Sequence, residues 1–264
     1  MTQNLQISPR YYRWHVDQGV EWMETHTGYD HLNWRIPISQ AALVLVDIWN
    51  GHYLTDTAAR AEKIIQQKIR PLLSAARRDG LKIIHAPGPD LARKHPAWVG
   101  LTDPEEPTSK PESDWPPSGF RSKSGEYENY ARPKEPRDQE RETLRAGLAI
   151  HPVVVPTGKE AVVATGAELH RYCREQGILF LFYLGFNTNA CILLRDYGTL
   201  AMGKRGYAIT IVRDCTTGME SFQTHDALEQ TRGAILFLEM FGNCSVVSDD
   251  LIAGLPGKDS RAQQ

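Results

Sequence analysis

Apolar runs and amphipathic stretches alternate along most of the chain. Continuous apolar runs such as 42–46 and 178–184 are typical of strands covered on both faces. The predicted strands are 42–47, 81–85, 160–164, 178–184, 207–212 and 245–247. Apolar residues at helical spacing predict helices over 57–79, 166–176, 191–202 and 221–240, and Gly80 ends the first of them.

This alternation predicts an α/β fold, a three-layer α/β/α sandwich around a mostly parallel, doubly wound sheet. In such sheets a binding site lies beyond the carboxyl ends of the strands. The residues that follow each predicted strand are therefore the first candidates for chemistry.

Two regions depart from the alternation. Residues 1–40 are aromatic and polar without clear periodicity, which indicates an arm that packs on the body or on a neighbouring subunit. Residues 87–141 are rich in Pro, Gly, Ser and charge but carry several aromatic residues, which favours a lid or an interface element over disorder. We therefore predict an arm at 1–40, a domain at 41–254 with a long inserted loop at 87–141, and a flexible tail at 255–264.

Composition limits the possible partners and the compartment. A chain of 264 residues suits one large domain, and its net charge of −2 gives no electrostatic case for nucleic acid or an anionic membrane. The apolar runs are too short to span a bilayer, and no secretory signal is visible. Four widely spaced cysteines, without a Cys-x-x-Cys pair, argue against structural zinc and against disulfides. We expect a cytoplasmic protein that acts on a small molecule.

Cys191 is the leading candidate nucleophile. It follows the apolar run 178–184 and the short polar elbow 185–190, and it opens a predicted helix. The positive end of a helix dipole lowers the pKa of a thiol, and the thiolate is the nucleophilic form. The alternative is a small apolar residue packed where the strand meets the helix.

Asp47 ends the first predicted strand and is the candidate base for Cys191. A carboxylate there can take the thiol proton and pass it to a leaving amine. The alternative is a loop cap that accepts backbone hydrogen bonds. Trp49 and His52 follow the same strand and His85 ends the second, so we expect these three side chains to line the pocket. Asp214 is interpreted as part of a turn.

Neither a metal nor a dinucleotide cofactor is expected. His52, His85 and His95, with Asp90, show no recognised metal-ligand spacing. No Gly-x-Gly-x-x-Gly sequence follows the first predicted strand.

Three segments carry a family resemblance: Leu43-Val-Leu-Val-Asp47, the elbow Gly185-Phe-Asn-Thr-Asn-Ala-Cys191, and residues 195–214. Over about residues 40–250 the chain resembles the isochorismatase-like cysteine hydrolases. The resemblance implies an Asp-Lys-Cys triad in which Cys191 is the nucleophile and Asp47 the general base. It further implies a cis peptide near Phe186-Asn187, an oxyanion hole made by the backbone N–H groups of Asn187 and Cys191, and substrate contact by Thr188.

The lysine of that triad has no clear counterpart. The predicted strand 160–164 runs directly into the next helix, and Lys159 lies at its opposite end. Five residues of strand would hold Lys159 roughly 16 Å from the site, so we predict a surface residue there. Arg121 and Lys123, in the inserted loop, are the alternative sources of positive charge.

These observations predict a hydrolase that cleaves an amide, ureide or carbamoyl-type C–N bond through a cysteine thioester. One alternative is vinyl-ether hydrolysis of the isochorismatase type, with Asp47 as general acid. Another is a binding or interaction protein that has lost catalysis together with the lysine. The aromatic arm and the resemblance favour a homo-oligomer.

Overall fold

A computed structural model describes residues 3–100 and 115–257 of the chain. The chain forms two compact units, one of residues 1–102 and 149–264 and the other of residues 103–148. The first unit contains the sheet and the candidate site. No helix in the described parts of the chain is both long and apolar enough to cross a membrane.

A central sheet of eight strands organises the first unit. Eight of the ten strands in the described residues form this sheet, and the other two, β1 and β4, form a smaller one. In chain order the ten are β1 (Asn4–Ile7), β2 (Arg10–Arg13), β3 (Gly28–His31), β4 (Trp34–Pro37), β5 (Ala41–Val46), β6 (Lys82–Ala86), β7 (Ala161–Val162), β8 (Phe180–Phe186), β9 (Ala208–Thr217) and β10 (Cys244–Val246). Their spatial order in the large sheet is β3-β2-β10-β9-β8-β5-β6-β7, and β5 to β10 pair in parallel. The predicted fold class is confirmed.

Helices of the first unit cover both faces of this sheet. In chain order the helices of the described residues are α1 (Thr55–Ile64), α2 (Arg70–Asp79), α3 (Pro89–Ala92), α4 (Ser118–Ser122), α5 (Asp138–Ala146), α6 (Gly166–Gln176), α7 (Thr199–Lys204), α8 (Glu229–Met240) and α9 (Ser248–Ala253). Of these, α4 and α5 belong to the second unit. Because successive strand residues point to opposite faces, Leu43 and Leu45 of β5 enter the core beneath α2 and α9, whereas Val44 enters the core beneath α6 and α8.

The strands of the N-terminal region pack on the body of the first unit. β2 pairs antiparallel with β10, β3 pairs antiparallel with β2, and β1 pairs with β4 in a small second sheet. β2 is half-buried along its length. Its Arg-Tyr-Tyr-Arg sequence therefore lacks the apolar run by which the central strands are recognised.

Several predicted boundaries need correction. The predicted strand 160–164 reduces to the two residues of β7, and the helix predicted over 221–240 begins only at Glu229. β9 runs on to Thr217, so Asp214 lies in a strand and not in a turn. Its carboxylate accepts hydrogen bonds from the amide and hydroxyl of Ser248 and pairs with Lys68 at 3.3 Å.

The helix predicted over 57–79 is present but contains a π-helical turn. Residues 55–79 are helical throughout, with a π-helical turn at Ile65–Ile69 between α1 and α2. Pro71 follows this turn and has no N–H to donate, which explains why the regular hydrogen-bond pattern shifts just before it. Gly80 ends the helix at a φ of 76°, as predicted.

The inserted loop has secondary structure of its own where it is described. α3 begins it, and α4 and a 3₁₀ helix at Gly125–Tyr130 lie in the second unit. Residues 101–114 of the predicted loop and 258–264 of the predicted tail lie outside the described residues. Leu255, at the start of that predicted tail, is buried.

Candidate active site

The elbow that carries Cys191 is held close to the end of β5. β8 lies between β5 and β9, and its residues from Leu181 to Phe186 are buried. Gly185 has a φ of 112°, and a Cβ atom there would lie 2.1 Å from the carbonyl oxygen of Val46. Only glycine permits this approach. The peptide bond between Phe186 and Asn187 is cis, as the family resemblance implied.

The helix after the elbow is shorter than the sequence predicted. Thr188–Ile192 forms a π-helical turn, and α7 begins only at Thr199. Two contacts explain the interruption, since the Thr199 hydroxyl donates to the Ile192 carbonyl and a Cβ at Gly198 would lie 2.7 Å from that same oxygen. The dipole of a long helix is therefore absent behind Cys191.

Asp47, Cys191 and Arg195 meet at the carboxyl end of β5. The Asp47 carboxylate is 2 % exposed and lies beside the Cys191 thiol, whose pKa its negative charge raises. The Nη2 atom of Arg195 lies 3.6 Å from Asp47 Oδ2, and the positive charge of Arg195 acts on the pKa of Cys191. The backbone N–H of Asn187 lies near the sulfur and also lowers its pKa. A thiol, an acid and a cation are therefore grouped at one place.

The pKa of Cys191 is raised, which corrects the expectation that its place at a helix start would lower it. Burial contributes most, followed by the negative charge of Asp47 and the hydrogen bond to it, and together they raise the pKa to about 11. Arg195 and the Asn187 N–H act in the opposite direction without cancelling these effects. The resting site therefore holds a protonated thiol beside its acceptor.

A buried tyrosine borders the same charges. Tyr197 is fully buried, and its pKa is raised first by burial and then by the charge of Asp47. Its hydroxyl forms no hydrogen bond within residues 3–100 and 115–257, whereas its carbonyl accepts from the Tyr183 hydroxyl at 2.7 Å. The side-chain oxygen of Asn187 also lacks a hydrogen bond within the described ranges. Both atoms are buried polar groups available to a ligand or water.

A pocket of about 280 Å³ opens beside this cluster. Its walls come from the end of β5, from the first turns of the α1 helix and from the elbow. Trp49, His52 and Asn187 line it. The Trp49 indole is held in place by a 2.8 Å hydrogen bond to the Pro87 carbonyl, and the N–H of Leu54 donates to the His52 ring.

Two predicted pocket residues lie elsewhere. His85 is 2 % exposed and bonds to Glu160 at 2.8 Å, in a network that Arg77 completes. Thr188 is fully buried and bonds to the Thr216 hydroxyl at 2.6 Å. Neither lines the pocket, so the interpretation of both as pocket residues is corrected.

The positive charge at the site comes from a residue that the sequence analysis missed. Lys159 is exposed, as predicted. Arg121 and Lys123 belong to the second unit, where the Lys123 ammonium lies 3.4 Å from the centre of the Phe120 ring. Within the first unit, Arg195 lies beside the acid and acts on the pKa of the thiol. Its spacing of four residues from Cys191 is the helical spacing of neighbouring side chains, a signal that was available in the sequence.

The other histidines, acids and cysteines considered above lie in surroundings that fit a structural role. Within the described residues, no group of three or more His, Cys, Asp or Glu side chains is arranged to hold a metal ion. Cys173 and Cys244 are buried in the core.

The family model of the isochorismatase domain matches residues 41–240. The chain therefore belongs to the isochorismatase family, a family of hydrolases. No curated protein matches it significantly.

Solved structures share the fold. A cysteine hydrolase from Pseudomonas syringae pv. phaseolicola 1448A is 15% identical, with a TM-score of 0.53 over 84% of this chain and 95% of the other. An isochorismatase family protein from Desulfovibrio vulgaris subsp. vulgaris str. Hildenborough is 18% identical, with a TM-score of 0.50 over 81% of this chain and 98% of the other.

Proposed function

We propose that the protein hydrolyses a C–N bond of a small amide, ureide or carbamoyl compound through a thioester on Cys191. The observation that carries the proposal is the contact between the Cys191 thiol, the Asp47 carboxylate and the Arg195 guanidinium. A nucleophile, a proton acceptor and a fixed positive charge are the groups that acyl transfer requires.

The first step is proton transfer from Cys191 to Asp47. The carboxylate lies close enough for its negative charge to raise the pKa of the thiol. The transfer turns a neutral thiol beside a carboxylate into a thiolate beside a carboxylic acid, so the net charge is unchanged. Arg195 contacts both groups and stabilises the negative charge wherever it lies. A raised thiol pKa fits this order of events, because the nucleophile forms only as the proton moves.

The second step is attack of the thiolate on the carbonyl carbon of the substrate. A C–S bond forms and the C=O bond becomes an oxyanion, for which backbone N–H groups of the elbow are the available donors. The Asn187 N–H lies near the sulfur and lowers its pKa, and preorganised donors of this kind stabilise the developing charge. The C–N bond then breaks as the amine leaves with the proton held by Asp47.

The final step releases the acid. Asp47, now ionised again, takes a proton from water, and the resulting hydroxide attacks the thioester. The C–S bond breaks and the thiolate recovers its proton from Asp47. One water is consumed for each amide cleaved.

Arg195 also bears on the alternative that the protein is a catalytically inactive binding module. That alternative depended on the missing family lysine. The ion pair between the half-buried Arg195 and the buried Asp47 places a positive charge near the thiol, which favours an active site.

An ammonia-release screen over primary amides, ureides and carbamoyl compounds tests the proposal. We expect release from at least one class, loss of it in Cys191→Ala, and an acyl adduct on Cys191 in the mass spectrum of the quenched enzyme. Cys244→Ala is the matched control, because Cys244 is a buried thiol whose pKa is also raised to about 11. Activity that survives Cys191→Ala would exclude the thioester.

A further inference from the structure

The pocket beside Cys191 is lined by two carboxylates. These belong to Asp47 and Glu62, and none of the described residues that line the pocket is Lys or Arg. Arg60 lies on the same helix as Glu62 but is directed elsewhere, since its guanidinium donates to the Thr217 hydroxyl at 2.8 Å and to the Gly218 carbonyl at 3.3 Å. The negative charge of the pocket is therefore not balanced from its own walls.

The two carboxylates differ in their surroundings. Asp47 is in contact with the Arg195 guanidinium, which compensates its charge. Glu62 accepts hydrogen bonds from the Gln66 amide at 2.6 Å and from the His151 ring at 2.9 Å. Each of these two partners donates its hydrogen bond as a neutral group. Glu62 is thus the carboxylate whose charge a ligand would meet.

The protonation state of His151 follows from its second hydrogen bond. The backbone N–H of Val153 donates to Nδ1 of His151, so Nδ1 carries no proton and Nε2 is the donor to Glu62. The hydrogen bond from Gln66 is the largest cause that lowers the pKa of Glu62, and the hydrogen bond from His151 lowers it further. Glu62 is accordingly an oriented anion at neutral pH.

The rest of the pocket wall is apolar and aromatic. Trp49, Ala61, Ile65 and Phe186 contribute to it, and its volume of about 280 Å³ is small. An aromatic wall beside a fixed carboxylate is a favourable environment for a cation with a short hydrocarbon body.

We propose that the pocket selects an amide whose acyl part ends in a positively charged nitrogen, and that it disfavours acyl parts that end in a carboxylate. The inference rests on the proposed function for the identity of the reacting bond. The selection by charge is a property of the pocket itself, so it is also measurable as binding.

The experiment compares three amides of similar length: 4-aminobutanamide, pentanamide and succinamate, which are cationic, neutral and anionic. Their kcat/KM values are measured with the wild type, and their binding to Cys191→Ala is measured by calorimetry. We expect the cationic amide to exceed the anionic amide by about tenfold or more in both measurements, since like charges in a binding site repel. The preference should shrink as salt is raised.

Two Glu→Gln variants provide the comparison. Glu62→Gln should remove most of the preference. Glu175→Gln removes an equally exposed carboxylate, on α6, and should leave the preference unchanged; the exposed side-chain fractions are 50% for Glu62 and 45% for Glu175.

Each outcome decides one of the two proposals. A cation-to-anion ratio near one, or a ratio that Glu62→Gln does not change, overturns the charge selection. Binding that shows the ratio in Cys191→Ala, with no turnover of any amide by the wild type, supports the charge selection and contradicts the proposed function.

Discussion

Nη2 of Arg195 lies 3.6 Å from Oδ2 of Asp47, so the cation of the candidate site comes from the chain just after Cys191. In the triad implied by the family resemblance, a lysine closes a separate strand. Here one stretch of chain carries both the thiol and the positive charge, and Asp47 approaches them from β5. A guanidinium stays protonated at any pH at which the protein is folded, so this cation has no proton to give.

The charge of Arg195 is expected to be needed for turnover. Arg195→Gln should lower kcat/KM by about 10²–10³-fold, because the site loses a stabiliser of developing negative charge. Arg195→Lys should recover part of the rate, since it keeps the charge but not the planar fork of donors. Steady-state kinetics on the best amide of the screen provide the measurement.

The control for this prediction is Arg171→Gln. Arg171 pairs with Glu175 on α6 at 3.0 Å, away from the pocket walls. A purely structural role for Arg195 would lower the melting temperature and leave the pH dependence of Cys191 alkylation unchanged. That result would contradict the proposed role.

Removing the acid should make the thiol easier to ionise. The charge of Asp47 and its hydrogen bond both raise the pKa of Cys191, which is about 11 in the resting protein. In Asp47→Asn that pKa should fall, so alkylation of Cys191 by iodoacetamide at pH 8 should be faster than in the wild type, while turnover is lost. The measurement is the rate of alkylation from pH 6 to 11, with the labelled cysteine identified by peptide mass.

Cys244 is the internal reference for that experiment. Burial and the charge of Glu239 raise its pKa to about 11, and Asp47 is not among the causes. Its alkylation rate should be the same in both proteins. Slower labelling of Cys191 in Asp47→Asn would show that the carboxylate does not hold the thiol proton.

The network of His85, Glu160 and Arg77 should control stability in acid. Burial by itself raises the pKa of Glu160, but the hydrogen bonds from His85, Arg77 and the Thr157 amide lower it to about 2, from an ordinary value of 4.5. The unfolded chain therefore binds a proton at a higher pH than the folded chain. This stabilisation is complete above pH 4.5 and is lost as pH falls towards 2.

Glu160→Gln tests this network. The variant should be less stable than the wild type at pH 7, and the difference should disappear as pH approaches 2. Urea unfolding at several pH values measures it, with Glu175→Gln as the control. A stability difference that is constant from pH 7 to 2 would be inconsistent with the lowered pKa.

Gly185 should be indispensable for placing the elbow. Its φ is 112°, and a Cβ there would lie 2.1 Å from the Val46 carbonyl oxygen, so Gly185→Ala should cost at least about 2 kcal/mol of the free energy of unfolding. A Cβ added at Gly203, on α7, would make only one side-chain contact shorter than 3.8 Å, and that contact is at an ordinary van der Waals distance. Gly203→Ala should therefore stabilise the protein by about 0.4–1 kcal/mol. Equal melting temperatures for the two variants would refute the close approach.

The sequence by itself was sufficient to locate the strands that carry the site. An apolar run indicates a strand that is buried on both faces of a sheet, so the strands at 42–47 and 178–184 were recognisable. Parallel strands bring their carboxyl ends to the same edge of the sheet. Asp47 and Cys191 therefore followed from local pattern and topology. The helical span from α1 to α2 and the bounds of α6 followed in the same way, since glycine and apolar spacing act locally, but the π-helical turn between α1 and α2 did not.

Only the tertiary structure decided what surrounds the thiol. His85 ends a predicted strand, but one residue of register decides which face a side chain takes, and it faces Glu160. Arg195 and Glu62 belong to the site because of the directions that their long side chains take. Hydrophobic periodicity in the sequence does not predict those directions. The pKa of Cys191 is also a tertiary property, because burial and the charge of Asp47, 144 positions earlier in the sequence, outweigh the short helical turn behind the thiol.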